Sequence, residues 1–209
     1  MELCSSVSAT FLHPDEARGT ERWAPKRIRE FTAGRLCARA ALARLGIYNF
    51  PLLRRPDGLP IWPSGVAGSI THTQGYCAAA VSKKGRLLSL GIDTEAIAAV
   101  RPELWPHFLI STERQRLALP SSVHENAVAA LTFSAKESFY KCQFPITGEW
   151  LDFSDVMIEV NSSDDARGTF HVLPQRNCRI ADFKLEAITG AYRFHEGFVT
   201  TAVTLMQRV

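Results

Sequence analysis

The sequence lacks the patterns of secreted, membrane-spanning and zinc-binding proteins. Its five cysteines, Cys4, Cys37, Cys77, Cys142 and Cys178, are scattered, odd in number and never in a CxxC pair, which argues against a disulfide framework and a zinc site. The first residues, MELCSSVSATFLHPDEARG, have no basic start and no apolar core, so no signal peptide is expected. No apolar run approaches the roughly 20 residues needed to span a bilayer. These absences predict a cytoplasmic protein without a transmembrane segment.

A strong overall charge is also missing, because the formal net charge is only +3. Residues 18–55 nevertheless hold ten Lys and Arg against Glu21 and Glu30, a local excess of eight positive charges. Such a region suits a phosphate-rich ligand or an acidic partner, and a solvated basic helix face is the simpler interpretation. No recognised nucleic-acid motif accompanies it, so nucleic-acid binding is not expected.

The pattern of apolar residues predicts a long helix followed by strands, twice. Residues 26–46 read as a helix ending at Gly46, and the Pro-rich segment 51–65 reads as an irregular loop. Three strand-like runs follow, with a turn around Lys84-Gly85 joining the last two: 67–71, 76–82 and 87–93.

The second half of the chain repeats this order of elements. A capping box at Thr112 predicts a short helix that Pro120 ends, and a long helix is predicted over 125–142. The remainder is predicted as strands, the last two joined by a hairpin at His195-Glu196-Gly197: 153–160, 167–173, 183–194 and 198–206. The predicted fold class is therefore α+β, with two similar halves over residues 1–100 and 101–209.

Two carboxylates close the apolar strand GIDTE at residues 91–95. Side chains alternate along a strand, so Asp93 and Glu95 project to the same side. Their mutual repulsion favours a cation between them, and Mg²⁺ is the hard divalent ion that fits, with Mn²⁺ as an alternative. Solvated carboxylates at a strand end are the competing interpretation.

The helical motif FSAKESFYK spans residues 133–141. Glu137 and Lys141 lie four residues apart and therefore share a helix face, whereas Lys136 points about 100° away. They could form a surface ion pair. Alternatively, Glu137 is a third carboxylate near the metal and Lys141 contacts a phosphate.

The third motif, GSITH, covers residues 68–72. Gly68 permits a close backbone approach, and His72 at a strand end can hydrogen-bond a phosphate. A single histidine can equally be a structural residue.

Taken together, GSITH, GIDTE and FSAKESFYK occur in an order and at spacings that resemble the 4′-phosphopantetheinyl transferases. The resemblance is to the surfactin-type superfamily, in the branch of enterobactin synthase component D, and it includes the upstream run RRPDGLPIWPSGVAGSITHT. It implies two halves, each with a long helix packed on a small antiparallel sheet, and an active site at their interface. It also implies transfer of the phosphopantetheine arm of coenzyme A to a serine of an apo acyl or peptidyl carrier protein, with release of 3′,5′-ADP.

The resemblance also implies roles for individual residues. Asp93, Glu95 and Glu137 would bind the metal. The catalytic set would be Glu137, Glu95 and Lys141, with Glu137 as the base for the serine, directly or through water, and Glu95 as second candidate. Coenzyme A would be held by phosphate-binding groups: Arg27, Arg35, Arg55, Ser69, Thr71, His72 and Lys141. A lysine that some relatives carry in the Pro-rich loop is absent here, and either Arg54 or Arg55 could replace it.

The resemblance favours a siderophore or other secondary-metabolite pathway and a monomeric enzyme. The segment 96–124, with Trp105, Phe108 and Leu109, is either a docking surface for the carrier or a packed connector. Two other functions stay open: a non-catalytic module that binds carrier protein or coenzyme A, and a Mg²⁺-dependent nucleotide pyrophosphohydrolase.

Overall fold

The chain divides into two compact units, Met1–Gly85 and Arg86–Val209. The structure is a computed structural model, and it describes residues 8–117, 124–162, 164, 166–183 and 188–208. The boundary falls before the predicted one, so residues 86–100 belong to the second unit. Within the described residues, no helix combines the length and the apolar character that a membrane span requires.

The first unit is a long helix packed on a β-hairpin. Its helices and strands, in chain order, are α1 (Pro14–Ala17), α2 (Pro25–Ala43), β1 (Val66–Thr73) and β2 (Tyr76–Lys83). Pro25 at the first position favours the start of α2, since its fixed φ is already helical. The helix ends slightly earlier than predicted, and the chain reverses at Gly46 with a φ of 78°.

Close packing holds α2 against β1. A Cβ atom added to Gly34 would lie 3.1 Å from Ile70 Cγ2, so glycine lets the helix approach the strand. Gly68 serves a similar purpose, because its missing side chain leaves room for the Trp62 ring. The close approach predicted at Gly68 is therefore made by an aromatic side chain of the Pro-rich loop.

The second unit is a long helix packed on a larger antiparallel sheet. In chain order its helices and strands are β3 (Leu87–Ala96), α3 (Trp105–Phe108), α4 (Ser111–Leu117), α5 (Glu125–Thr147), β4 (Val156–Ser162), β5 (Arg167–Pro174), β6 (Thr189–His195) and β7 (Phe198–Met206). The strand order in the sheet is β3-β7-β6-β5-β4. The α+β class predicted from the sequence is confirmed.

Strand β3 follows β2 after the predicted turn but does not pair with it. It pairs with β7, and Asp93 lies opposite Thr201 in the register. The reason is burial, because β3 and β7 both pack against α5. Pairing with β7 places the apolar face of β3 under this helix.

Gly91 brings β3 and α5 into contact. A Cβ atom at this position would lie 2.0 Å from Ser138 O and 2.7 Å from Cys142 N. On the same side of the sheet, the Thr201 hydroxyl donates to Ser134 O at 2.9 Å. The face of β3 that carries Gly91 and Asp93 is therefore the face that meets the helix.

Two other predicted strands are shorter than expected. Residues 153–155 form a 3-10 turn before β4, residues 179–182 form another, and β6 begins at Thr189.

The hairpin between β6 and β7 is confirmed, with positive φ at Glu196 and Gly197. The short helix α4 is present, with its first turn capped by Glu113 rather than through Thr112. Pro120 lies outside the described residues.

Candidate active site

An ion pair joins the GIDTE strand to the FSAKESFYK helix. The Lys141 ammonium donates to Asp93 Oδ1 at 2.6 Å. Asp93 is only 3% exposed, whereas the Lys141 side chain retains 30% of its exposure. The predicted proximity of these two motifs is thus present, with an ammonium group beside the buried carboxylate.

Glu137 lies one helical turn before Lys141 and responds to both charges. Burial raises the pKa of the Glu137 carboxyl, the Lys141 ammonium lowers it, and the Asp93 carboxylate raises it again. The three groups therefore interact electrostatically, and Glu137 is more basic than a solvated carboxylate.

Glu95 follows Asp93 by two residues and pairs with Val199 across the sheet. Among the residues that the structure describes, no group of three or more His, Cys, Asp and Glu side chains is arranged to hold a metal ion. The predicted cluster of Asp93, Glu95 and Glu137 is therefore not assembled in this structure. The carboxylates of Asp93 and Glu137 nevertheless interact with each other, and such a pair fits Mg²⁺. This ion usually takes one or two protein carboxylates and completes its shell with water and phosphate oxygens.

An apolar pocket of about 250 Å³ opens beside Glu137. Its walls include aromatic side chains from α5 and from the segment after it: Phe139, Tyr140, Trp150 and Phe153. Trp150 is 69% exposed and contacts the Tyr140 ring edge-on at 5.3 Å. The pocket thus combines two carboxylate residues, Glu137 and Asp152, with a largely apolar lining.

Lys136 has a structural role that the sequence did not reveal. Its ammonium is almost completely buried and donates to Phe108 O, Glu113 Oε2 and Phe153 O at 2.7–2.8 Å. Glu113 in turn accepts from Ile158 N at 2.9 Å. Lys136 therefore fixes the part of α5 that carries Glu137, and in the KE pair of the motif it is Lys136 that is held by these buried contacts.

In the first unit, arginine side chains stack on aromatic rings. The Arg54 guanidinium lies 4.3 Å from the centre of the Trp23 ring and 5.2 Å from that of Phe31. Arg27 contacts the Trp23 ring at 5.5 Å, and Arg35 contacts Phe31 at 3.9 Å. We call Arg27, Arg35 and Arg54 the arginine cluster. Like charges held this close favour a bound anion.

Arg35 is the most buried member of the arginine cluster, at 6% exposure. Its Nε donates to Leu52 O at 3.1 Å, while Nη2 has no hydrogen-bond partner among the described residues. Burial lowers the pKa of Arg35 to about 10, Glu16 opposes this shift, and the neighbouring arginines add to it. A buried donor without a partner is costly, and an anionic oxygen would satisfy it.

His72 joins the arginine cluster through Arg27, whose Nη1 lies 3.4 Å from His72 Nε2. Both side chains are exposed. Ser69 and Thr71 are buried, and strand alternation directs them to the opposite face of the hairpin from His72. The structure therefore groups Arg27 with His72 and separates the other two predicted ligands from them.

The two arginines that could replace the missing loop lysine differ in their surroundings. Arg54 belongs to the arginine cluster and is half-buried. Arg55 is exposed, and its Nη2 pairs with Asp57 Oδ2 at 2.8 Å. The sequence left the choice between Arg54 and Arg55 open, and the stacking of Arg54 on Trp23 could not be inferred from sequence spacing.

Two of the three side chains named for the proposed docking segment pack inside the second unit. Phe108 and Leu109 are each 4% exposed and belong to the hydrophobic core. Trp105 is half-buried against that core. Phe108 and Leu109 are therefore not available to a partner, whereas Trp105 is only partly covered. Residues 118–123 lie outside the described ranges.

Comparison with known families covers nearly the whole chain. The model of the 4′-phosphopantetheinyl transferase N-terminal domain matches residues 15–82. The model of the 4′-phosphopantetheinyl transferase superfamily matches residues 89–203, which include GIDTE and FSAKESFYK.

Individual relatives agree with these matches. The chain is 38% identical to 4′-phosphopantetheinyl transferase Svp of Streptomyces mobaraensis, over 94% of this chain and 79% of the relative. It is 37% identical to 4′-phosphopantetheinyl transferase Npt of Nocardia iowensis, over 91% of this chain and 88% of the relative. It is also 37% identical to enterobactin synthase component D of Salmonella typhi, over 62% of this chain and 52% of the relative. The chain therefore belongs, as an enzyme, to the 4′-phosphopantetheinyl transferase superfamily.

Proposed function

We propose that this enzyme transfers the 4′-phosphopantetheine group from coenzyme A to a serine of an apo acyl or peptidyl carrier protein. The serine oxygen forms a bond to the β-phosphorus of coenzyme A, and the bond between that phosphorus and the bridging oxygen breaks. The serine proton passes to a base, and 3′,5′-ADP leaves with the electron pair.

The single observation that carries this proposal is the group formed by Asp93, Glu137 and Lys141. It places a basic carboxylate, a cation and a buried carboxylate together on α5 and β3. Transfer of a phosphate-linked group requires a base for the nucleophile and positive charge at the phosphate oxygens.

Glu137 is our choice of base. Burial raises the pKa of its carboxyl when no ion lies beside it, which makes it a better proton acceptor than a solvated glutamate. A cation held by the same carboxylate would lower that pKa, so Glu137 would then accept the proton through an intervening water. A neutral serine hydroxyl is a weak nucleophile, so proton removal is the step that a base must assist. Glu95 remains the second candidate.

Lys141 would bind a phosphate oxygen while keeping its bond to Asp93. An ammonium has three N–H donors, so the 2.6 Å bond to Asp93 does not exhaust it. Asp93 thus orients the ammonium, and Lys141 stabilises the negative charge that develops as the pyrophosphate bond breaks.

Mg²⁺ would be held by Asp93 and Glu137, with Glu95 as a third ligand, and Mn²⁺ is the alternative ion. Carboxylate oxygens are the donors that these hard cations prefer. When bound, the ion neutralises charge on the pyrophosphate.

We assign the phosphates of the adenosine end of coenzyme A to the first unit. The arginine cluster supplies several hydrogen-bond donors, and Arg35 Nη2 is a buried donor with no acceptor among the described residues. Arg27 and His72 are exposed beside it. The 3′-phosphate is the group best suited to this cluster, because guanidinium groups bind phosphate through paired hydrogen bonds.

The apolar pocket beside Glu137 is suited to the pantetheine arm. Its aromatic walls would cover the alkyl and amide segments, and Glu137 would stand at the end where the arm joins phosphate. The proposed carrier serves a siderophore or other secondary-metabolite pathway, and we propose a monomeric, cytoplasmic enzyme.

The test is an intact-mass measurement on a panel of apo carrier proteins incubated with the enzyme, coenzyme A and Mg²⁺. We expect a gain equal to one phosphopantetheine group, with one equivalent of 3′,5′-ADP released. A carrier whose modifiable serine is replaced by alanine provides the matched control.

Two other outcomes would favour the other functions. Release of 3′,5′-ADP without any carrier would indicate a nucleotide pyrophosphohydrolase. Binding of carrier or coenzyme A with no mass gain across the panel would indicate a non-catalytic binding module.

A further inference from the structure

Two thiols that lie far apart in the sequence meet between α2 and β2. Cys37 Sγ donates to Cys77 O at 3.6 Å, and the Cys77 side chain hydrogen-bonds the Cys37 sulfur. Both cysteines are half-buried, so small oxidants in solution can reach them. Neither belongs to the proposed reactive group.

The surroundings of Cys37 favour ionisation of its thiol. The hydrogen bond from Cys77 lowers the pKa of Cys37 to about 7, although burial opposes this shift. This shift increases the thiolate fraction of Cys37, and the thiolate is the form that peroxides oxidise. Cys142 shows the opposite behaviour, because burial raises its pKa to about 12.

The thiol pair is adjacent to a proposed phosphate ligand. Cys77 lies directly opposite His72 in the β1–β2 register, so the two side chains project from the same face of the hairpin. His72 in turn contacts Arg27 on α2. A covalent bond between Cys37 and Cys77 would tie the helix to the hairpin beside these residues.

We propose that Cys37 and Cys77 form a redox-active pair that closes to a disulfide when the enzyme meets peroxide. The Cys37 thiolate attacks one peroxide oxygen, forming a sulfenic acid and releasing hydroxide. The Cys77 thiol then attacks the oxidised sulfur, so that an S–S bond forms and water leaves. A dithiol reductant reverses the bond by thiol–disulfide exchange.

Closure also alters the binding of the nucleotide, a consequence that rests on the proposed function of the arginine cluster. Formation of the bond brings the two sulfurs to about 2.05 Å from each other. This movement shifts α2, which carries Arg27 and Arg35, relative to the strand that carries His72. The oxidised enzyme is therefore expected to bind 3′,5′-ADP several-fold more weakly than the reduced enzyme.

The first experiment treats the full-length enzyme with a small excess of hydrogen peroxide and maps its peptides by mass spectrometry without reduction. We expect a Cys37–Cys77 linked peptide and a loss of two hydrogen atoms from the intact mass, both reversed by dithiothreitol. Cys37→Ser and Cys77→Ser should each abolish the link, whereas the matched variant Cys178→Ser should retain it. Thermal unfolding of the reduced variants checks that each is folded.

Separate Cys37 and Cys77 peptides after oxidation, whether unmodified or carrying sulfinic acid, would overturn the proposal. Calorimetric titration with 3′,5′-ADP then compares the oxidised and reduced enzymes. Equal affinities would overturn the coupling to nucleotide binding. Failure of the reduced enzyme to bind 3′,5′-ADP would instead contradict the proposed role of the arginine cluster, so the two failures are distinguishable.

Discussion

Lys141 Nζ lies 2.6 Å from Asp93 Oδ1, and this contact connects two residues that are 48 positions apart in the sequence, one in each motif. Asp93 is buried on the face of β3 that meets α5, and Lys141 keeps partial access to solvent. The ion pair holds the Lys141 ammonium near Glu137 and leaves that ammonium partly exposed to solvent. The ammonium is thus oriented by protein and available to a phosphate oxygen.

Replacing Asp93 by asparagine should therefore impair transfer strongly. The variant removes the anionic partner of Lys141 and one carboxylate of the proposed metal pair, so we expect kcat/KM to fall about 100-fold or more. Carrier modification followed by mass spectrometry measures the rate. Asp57→Asn, in an exposed loop, is the matched control and should retain activity. Unchanged transfer by folded Asp93→Asn would remove Asp93 from the site.

Arg54 and Arg55 provide a comparison between neighbours. Arg54 stacks on Trp23 within the arginine cluster, whereas Arg55 pairs with Asp57. Arg54→Gln should raise KM for coenzyme A about tenfold, because a charged hydrogen bond to phosphate contributes about 1.5 kcal/mol or more. Arg55→Gln should change KM less than about twofold. Steady-state kinetics with coenzyme A as the varied substrate distinguishes them, and a larger effect at Arg55 would contradict the assignment.

The short-range parts of this fold were predictable from sequence. Helix α2 was predicted to within a few residues at each end, because Pro25 and Gly46 limit it. The turn at Glu196-Gly197 was predicted for a similar reason, since its positive φ values favour glycine. Such signals depend on neighbouring residues alone.

Long-range pairing could not be predicted in the same way. Strand β3 follows β2 after a short turn, yet its partner β7 lies at the end of the chain. The choice depends on burial against α5, which no local pattern reveals. Lys136 is a second example, because its buried contacts to Phe108, Glu113 and Phe153 require three separate segments to meet.

Gly91 should tolerate no side chain. A Cβ atom there would lie 2.0 Å from Ser138 O, so Gly91→Ala forces β3 and α5 apart and should cost about 1–3 kcal/mol of unfolding free energy. Asp93 and Glu137 would separate as a result, and transfer should slow. Gly85→Ala is the control, since among the described residues only its own chain neighbours come within 4 Å of the added Cβ. Chemical denaturation of both variants checks the prediction, and equal stabilities would argue against close packing at Gly91.

The pH dependence of Cys37 alkylation should show whether Cys77 lowers the pKa of the Cys37 thiol. Its pKa is lowered to about 7 by Cys77, so the rate with iodoacetamide should rise with pH and reach half its maximum near pH 7. In Cys77→Ala the hydrogen bond is lost, and the midpoint should move up toward the ordinary thiol value of about 8.5. Peptide-resolved mass spectrometry follows the reaction, and an unmoved midpoint would show that Cys77 does not activate Cys37.

The central claim is that Glu137 acts as the base within the group formed with Asp93 and Lys141. Its most direct test compares Glu137→Gln with Glu125→Gln, an exposed position in the first turn of the same helix. With coenzyme A, Mg²⁺ and an apo carrier, Glu125→Gln should add phosphopantetheine at the wild-type rate, while Glu137→Gln should be about 100-fold slower or worse. Wild-type transfer by folded Glu137→Gln would contradict the claim.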